Sequence, residues 1–349
     1  MKVDGGVDGG VGNAVKAAKD AEADQLDGVW CPEANCDAVT ALMAMTLHTG
    51  EIEIGSSVIA AFARNPMSLA YTAHDLQFWS KGRFILGLGT QIQRHIEDRF
   101  SMEWSQPVER MREFILALHA IWDAWARGAA PAFEGRFYHH SVCPLPFIPV
   151  EHGFGHPPVY MGAVGPRMTT LAGEVAAGLI LHGFTTRKYL DEVTFPALDR
   201  GLAQSGRARN EIEVVLPGIV MAAESSADEE RARDAIRLQL AFYATTPSYS
   251  PVLECHGWMG LHDESRNLLR RGDWDGMASL VSDEIVDEFA IVAHPTKLAG
   301  AVVDRFGSEI DRLVMYAPFR DSRKEWEEFL SALRYGFAPA PLAMDSKCD

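Results

Sequence analysis

Three short stretches carry groups that could do chemistry, and each follows a β-rich run. Glu33 lies in WCPEANCDA, His182 lies near the end of GLILHGF, and Ala163, Val164 and Gly165 lead into a helix that starts at a proline. A carboxylate could exchange a proton or orient a ligand, and free N–H groups at a helix start could bind an anion. Each stretch also has a plain structural interpretation. Glu33 could cap a helix, His182 could be a structural histidine, and 163–165 could be an ordinary strand–helix turn.

The stretch FILGLGTQIQRH has the glycines of a phosphate-binding turn in a dinucleotide fold. That fingerprint needs a third glycine, where Ile92 stands, and it belongs to the first strand rather than the fourth. We therefore reject a dinucleotide turn. Gly87 and Gly89 instead allow close packing against neighbouring strands, close approach of a flat ligand, or both. Thr90 and Gln91 would then point into the rim of the sheet.

Short β-rich runs alternate with longer helical segments along the chain. The predicted strands lie at 3–4, 28–32, 51–62, 83–90, 157–163, 178–184, 211–223 and 311–319. The predicted helices lie at 13–25, 38–48, 66–82, 107–127, 166–177, 186–205, 227–243, 295–306 and 322–336. Eight strands separated by helices predict an α/β fold with a closed parallel (β/α)8 TIM barrel. In such a barrel a charged residue at the C-terminal end of a strand, as Glu33 is, faces the active site.

Two excursions interrupt the alternation, and we expect both to belong to one barrel domain that spans 1–349. Residues 129–156 contain a predicted hairpin and a proline-rich loop, and 244–290 are irregular and then weakly helical. The second excursion and its border hold aromatic residues that could line a substrate pocket or form a small core of their own: Tyr243, Tyr249, His256, Trp258 and Trp274. The first excursion holds four histidines, His139, His140, His152 and His156, but the last two lie in a Gly/Pro loop where a spacing of four has no helical meaning, so we expect no metal site.

Several segments, taken together and in order, are similar to the luciferase-like monooxygenase superfamily. They are IEIGSSVIAAFARNP, RNPMSLAYTAHDLQFWSKGRFILGLGT, PVYMGAVGPRMTTLAGEVAAGLILHGF, VAHPTKLAGAVVDRF and IDRLVMY. Within that superfamily the chain most resembles the oxidoreductases that depend on the deazaflavin coenzyme F420. The resemblance implies a (β/α)8 barrel of the bacterial luciferase type, which agrees with the strand count.

The resemblance also implies a cofactor site across the C-terminal mouth of the barrel. A flat F420 ring would lie against a non-prolyl cis peptide at Ser57-Val58, with its phosphate-bearing tail near 163–165 and His182. Glu33 matches an acidic residue near the reactive carbon, but Ala34 replaces the histidine that usually follows it. The implied reaction is hydride transfer between F420 and an organic small-molecule substrate. Two alternatives stay open: an FMN-dependent monooxygenase that uses reduced flavin and O₂, and a flavin- or deazaflavin-binding protein without turnover.

Composition limits the partners. A net charge of -16 argues against nucleic acid, because phosphate binding needs clustered Lys and Arg. The stretch MKVDGGVDGGVG lacks the apolar core of a signal peptide, no apolar run approaches about 18 residues, and the five cysteines are widely spaced. We therefore expect a cytoplasmic protein with free thiols and no membrane span. Helices 38–48 and 66–79 are apolar on more than one face, which favours a homodimer through them. The resemblance points the same way.

Overall fold

The computed structural model describes residues 1–7, 10–315 and 323–336. Its strands are β1 Lys2–Gly6, β2 Gly28–Cys31, β3 Glu53–Ser56, β4 Ile59–Ala60, β5 Phe84–Gly89, β6 Phe133–Glu134, β7 His139–His140, β8 Val159–Gly162, β9 Gly178–Ile180, β10 Glu213–Pro217, β11 Ile219–Ala222, β12 Ala290–Ala293 and β13 Arg312–Met315.

The helices are α1 Val11–Ala23, α2 Ala38–His48, α3 Pro66–Ser80, α4 Pro107–Ala126, α5 Pro166–Val175, α6 Arg187–Tyr189, α7 Phe195–Ser205, α8 Ser226–Ala244, α9 Ser250–His256, α10 Met259–Arg271, α11 Trp274–Ser279, α12 Asp283–Phe289, α13 Pro295–Phe306 and α14 Arg323–Tyr335. Two predicted starts are capped as the residue types require: the side chains of Asp37 and Asn65 accept hydrogen bonds from the backbone N–H groups of Thr40 and Ser68. Within the described segments, no helix is long and apolar enough to cross a bilayer.

Eight parallel strands close into a barrel, which confirms the predicted fold. Their order is β3-β2-β1-β13-β10-β9-β8-β5, and β5 pairs with β3 to close the ring. Side chains alternate along each strand, so Val29 and Leu313 join the large core beneath the helices, whereas Trp30 and Val314 belong to a separate cluster inside the barrel. The C-terminal ends of these strands therefore share one mouth.

The end of the barrel opposite the mouth is closed by an ion-pair network. Asp4 accepts hydrogen bonds from Arg312 Nε (2.7 Å) and Nη2 (2.9 Å) and from Trp30 Nε1 (2.8 Å). Arg312 Nη1 also contacts Glu53 (2.6 Å) and Glu213 (3.4 Å). Burial raises the pKa of Asp4, against the lowering effect of Arg312. Because the N-terminal face of such barrels serves stability, we assign this network to the fold and not to catalysis.

Three predicted strands were too long or are only partly described. The run 51–62 is broken at Ser57-Val58 into β3 and β4, so the chain bends at the barrel mouth. The run 211–223 is two strands, because β10 stays in the barrel while β11 leaves it and pairs in parallel with β12. The last strand is described over Arg312–Met315, and 316–319 lie outside the described residues.

The two excursions have different characters. The first contains the expected hairpin, in which Phe133 pairs with His140. The second is more ordered than predicted, because α9, α10, α11 and α12 pack with α8 around a second core. The predicted helix 186–205 also differs, since a π-helical turn at Leu190–Thr194 separates α6 from α7.

Candidate active site

The floor of the barrel mouth is a bulge at the predicted cis peptide, Ser57-Val58, which the structure contains. Both residues are partly exposed, whereas Ser56 and Ile59 on either side are buried. A Cβ on Gly87 would lie 1.8 Å from the Ser56 carbonyl oxygen. Gly87 therefore serves close packing against β3, which was one of the two interpretations of the glycine pair.

Gly89 and Gly162 both lie close to the side chain of Val58. A Cβ on Gly89 would lie 2.4 Å from Val58 Cγ2, and one on Gly162 would lie 3.2 Å from Val58 Cγ1. The side chain of Val58 thus packs over the ends of β5 and β8. A flat ligand at the mouth would meet Val58 and the bulge rather than the glycines themselves.

Glu33 follows β2 and is held by the neighbouring strand. Its Oε2 accepts hydrogen bonds from the Ala60 N–H (2.8 Å) and Arg64 Nη1 (2.7 Å), while Arg64 Nη2 contacts Oε1. Glu33 does not cap α2, because Asp37 does. The side chain of Glu33 is buried and its charge is compensated by Arg64, so the geometry suits an orienting or electrostatic role better than proton exchange.

Thr90 and Gln91 lie at the rim where β5 ends. Thr90 Oγ1 donates to the Gln91 carbonyl oxygen (2.9 Å), and Gln91 Oε1 contacts His95 Nδ1 (3.3 Å). Gln91 has φ 60°, a left-handed conformation that turns the chain sharply. Both side chains are half-buried, as expected for rim residues.

The turn before α5 provides two backbone donors, not three. The Ala163 N–H donates to the Ile180 carbonyl oxygen (3.1 Å), so Ala163 is removed as an anion donor. Among the described residues, none accepts a hydrogen bond from the N–H of Val164 or Gly165. A Cβ on Gly165 would meet nothing within 4 Å, so there is room beside this helix start. Tyr189 fixes the turn by donating to the Val164 carbonyl oxygen (3.1 Å).

His182 follows β9 and lies beside that turn. A small pocket is lined by both of them and by neighbouring residues: Ala163, Val164, Leu181, His182, Phe184, Thr185, Tyr189 and Thr194. The His182 ring stacks on Tyr249 at 4.2 Å and meets Tyr243 edge-on at 5.0 Å. Its Nδ1 accepts a hydrogen bond from the Phe184 N–H (3.0 Å). Burial lowers the pKa of His182 to about 4, so the imidazole is neutral near pH 7.

This shift predicts a loss of stability in acid. Because the folded-state pKa of His182 lies below the ordinary value of about 6.5, the unfolded chain binds more protons between about pH 6.5 and 4. The free energy of unfolding should fall by up to about 3 kcal/mol as the pH drops through that window. Urea titrations of the parent and His182→Gln at pH 7 and pH 4 check this. An equal acid loss in both proteins would contradict it, since the other histidines are common to both.

The remaining aromatic candidates pack in the second core. Tyr243, Tyr249 and Trp258 border it, and His256 stacks on Trp258 at 4.2 Å while its Nε2 contacts Thr186 Oγ1 at 2.8 Å. Trp274 is exposed, and its ring centre lies 6.3 Å from that of Phe242. This packing matches the alternative in which these side chains form the core of the excursion. A role in substrate binding stays a prediction.

The loop histidines pack against other rings. The His152 ring lies 4.3 Å from that of His74 in a tilted arrangement, and His156 stacks on Trp122 at 5.5 Å. Across the described residues, no group of three or more His, Cys, Asp or Glu side chains is arranged to hold a metal ion. Four cysteines are free thiols, and Cys348 lies outside the described residues.

The family profile described as luciferase-like monooxygenase matches residues 2–312. The chain belongs to this family. It is 44% identical over 314 residues to the uncharacterized protein Rv1360 of Mycobacterium tuberculosis, covering 90% of this chain and 92% of that one. It is 27% identical over 318 residues to the 5,10-methylenetetrahydromethanopterin reductase of Archaeoglobus fulgidus, covering 89% and 90%.

The fold of this luciferase-like protein is also similar to that of a solved structure. The coenzyme F420 dependent tetrahydromethanopterin reductase from Methanopyrus kandleri superposes with a TM-score of 0.76 at 20% identity, covering 94% of this chain and 96% of that one. The superposition supports the barrel and the position of its mouth.

Sequence reasoning missed two arginines at the mouth of this luciferase-like barrel. Arg64 holds Glu33, and Arg99 donates to the Ala34 carbonyl oxygen (2.7 Å). Arg64 stands directly after the third strand run, so its place at the same rim as Glu33 was a usable signal. Arg99 follows an irregular segment that no periodicity assigns, and sequence gave no signal for it.

Proposed function

We propose that this protein is an F420-dependent oxidoreductase that transfers hydride between the deazaflavin and an organic substrate. The observation that carries the proposal is the mouth of a luciferase-like barrel, where Val58 packs over the ends of β5 and β8 and the start of α5 offers two backbone N–H groups that no described residue accepts from. The similarity to a methylenetetrahydromethanopterin reductase over most of both chains supports a redox reaction of this class. The substrate of this chain is not inferred from that relative.

The residues at the mouth suit both the flat ring and the phosphate-bearing tail of such a cofactor. Ser57 and Val58 present a partly exposed platform above packed strands, which suits a flat ring. Val164 and Gly165 offer N–H groups without an acceptor in the described part of the chain, and there is open space beside Gly165 at the start of α5. A helix start carries partial positive charge, so this turn suits a phosphate.

The cofactor would supply the hydride chemistry, and the chain would position the reactants. Val58 and the bulge would hold one face of the ring and exclude water from it. Glu33, fixed by Arg64 and the Ala60 N–H, would place a fixed negative charge at the rim. Neutral His182 would close the tail side against Tyr249. Preorganised groups of this kind lower the reorganisation needed during transfer.

Titration of the purified chain with F420 and, separately, with FMN tests the proposal. We expect F420 to bind with a change in its absorbance and FMN to bind at least about 10-fold more weakly. Tight FMN binding without F420 binding would overturn the proposal in favour of a flavin monooxygenase. F420 binding with no redox change across a broad panel of carbonyl, imine and alcohol substrates would favour a binding protein without turnover.

We also propose that a second copy of the chain covers the exposed apolar side chains of α2 and α3. Leu47 on α2 is 57% exposed, and Phe78 and Trp79 on α3 are 47% and 51% exposed. Light scattering after size exclusion should give a dimer for the parent and a monomer for Leu47→Glu with Trp79→Glu. Leu238→Glu, an exposed apolar position on α8, is the matched control and should stay dimeric. A monomeric parent would contradict this proposal.

A further inference from the structure

A cleft beside Glu33 is lined by polar and charged side chains, several of which have no role in the proposed cofactor site. It has a volume of about 480 Å³ and lies between the loop after β2, the turn that precedes α3 and the segment after β5. Its lining is Glu33, Ala34, Asn35, Cys36, Asp37, Ala63, Arg64, Arg99 and Phe100. The volume falls within the range of small-molecule sites, which is roughly 300–1,000 Å³.

Both acidic side chains of this cleft are already held by bonds within the fold. Both oxygens of Glu33 contact Arg64, and Oε2 also accepts from the Ala60 N–H. Asp37 Oδ1 accepts from the N–H (2.8 Å) and Oγ1 (3.0 Å) of Thr40, and its Oδ2 lies 3.3 Å from Arg64 Nη2. A cationic ligand would therefore have to displace bonds that the fold already makes.

The guanidinium of Arg99, in contrast, is held by a carbonyl oxygen and an aromatic ring rather than by a carboxylate. Its Nη2 donates to the Ala34 carbonyl oxygen at 2.7 Å, and its guanidinium carbon lies 4.9 Å from the centre of the Phe100 ring. Within the described residues, no carboxylate forms an ion pair with it. These two contacts orient the guanidinium while its remaining N–H donors stay available, which is the arrangement that binds a carboxylate well.

We propose that this cleft binds the carboxylate of a small organic acid through Arg99. The exposed amide of Asn35 adds a neutral donor, and Phe100 and Ala63 give apolar contacts for the body of the ligand. This inference deepens the proposed function, because it assigns a substrate class to the same mouth: an organic acid rather than a neutral or cationic molecule. It rests on the proposed function only for the redox step, not for binding.

The test uses benzoate and its neutral isostere benzamide as probes, with the full chain and no added cofactor. Calorimetric or NMR titration should show benzoate binding at least about 10-fold more tightly than benzamide, since a charge-assisted contact adds on the order of 1.4 kcal/mol. Arg99→Met should abolish the preference and Arg99→Lys should keep part of it, because lysine retains the charge but not the planar fork. Added salt should reduce the preference in the parent.

Arg94→Met is the matched control. Arg94 lies on the same segment, is highly exposed and pairs with Asp98 at 3.5 Å, but it does not line the cleft. It should keep the benzoate preference. Equal affinity for both probes, or a preference that survives Arg99→Met, would overturn the proposal, because the anion would then bind elsewhere. Since no cofactor is added, this result is independent of the F420 titration, and each can fail while the other holds.

Discussion

Replacing Arg312 with methionine is expected to lower the free energy of unfolding by about 3–5 kcal/mol, because the change leaves one member of a buried ion pair alone. Arg312 and Asp4 both have 0% exposed side chains. Methionine fills part of the volume but offers no donor to Asp4, which would keep only the Trp30 N–H. Glu53 and Glu213 lose one cationic partner but keep another, because Lys2 contacts them at 3.1 and 3.3 Å.

Urea unfolding at two pH values measures this effect. In the variant, burial without Arg312 should raise the pKa of Asp4 further, so the folded state binds a proton that the unfolded state has released. By linkage, the stability loss should be larger at pH 8 than at pH 5. A loss below about 1 kcal/mol at both pH values would contradict the assignment.

Two further variants separate the ion pair from the volume change. Asp4→Leu combined with Arg312→Met removes both charges and should recover most of the lost stability, because an apolar replacement of a whole buried pair is often neutral. Arg112→Met breaks a more exposed pair, with Glu174 at 2.5 Å, and should cost at most about 1 kcal/mol. If the double variant is as unstable as Arg312→Met alone, packing rather than charge explains the loss.

The sequence could predict the barrel because its signals are local. Hydrophobic runs, helix caps such as Asp37 and the proline at 66 each depend on a few neighbouring residues. The partner of Asp4 could not be predicted, since Arg312 is 308 positions away and nothing in a single sequence connects the two. Arg64, 31 positions after Glu33, was missed although it closely follows the run 51–62, which ends at the same mouth.

The helices of the second excursion were hard to predict for a different physical reason. Its helices are short, so each shows too few turns for a clear period, and they are stabilised by packing around a shared core rather than by intrinsic propensity. Strand β12 has only four residues, and its partner β11 is far away in sequence. Ala290 pairs with Ile219, which lies 71 positions earlier in the chain. Tyr243 and Tyr249 were found by residue type, but only the fold could place them against His182.

The second large effect is expected at Gly87. An alanine Cβ would lie 1.8 Å from the Ser56 carbonyl oxygen and 2.9 Å from Ile180 Cδ1, and backbone cannot rotate away as a side chain can. Gly87→Ala must therefore displace the end of β3 and the Ser57-Val58 bulge that follows it. We expect a stability loss of about 3 kcal/mol or more, at the upper end for overpacking. F420 affinity should fall at least about 10-fold, because the platform for the ring moves.

A graded glycine series distinguishes the bulge from general destabilisation. Gly89→Ala meets the Val58 side chain at 2.4 Å, which can rotate, so its stability cost should be smaller, about 1–2 kcal/mol. Gly50→Ala meets nothing within 4 Å and should change neither stability nor affinity. Unfolding curves and F420 titrations of the folded fraction check the order. If folded Gly87→Ala binds F420 like the parent, the bulge is a packing feature and the ring binds elsewhere at the mouth. If Gly87→Ala is as stable as Gly50→Ala, the inferred close contact between β3 and β5 is wrong.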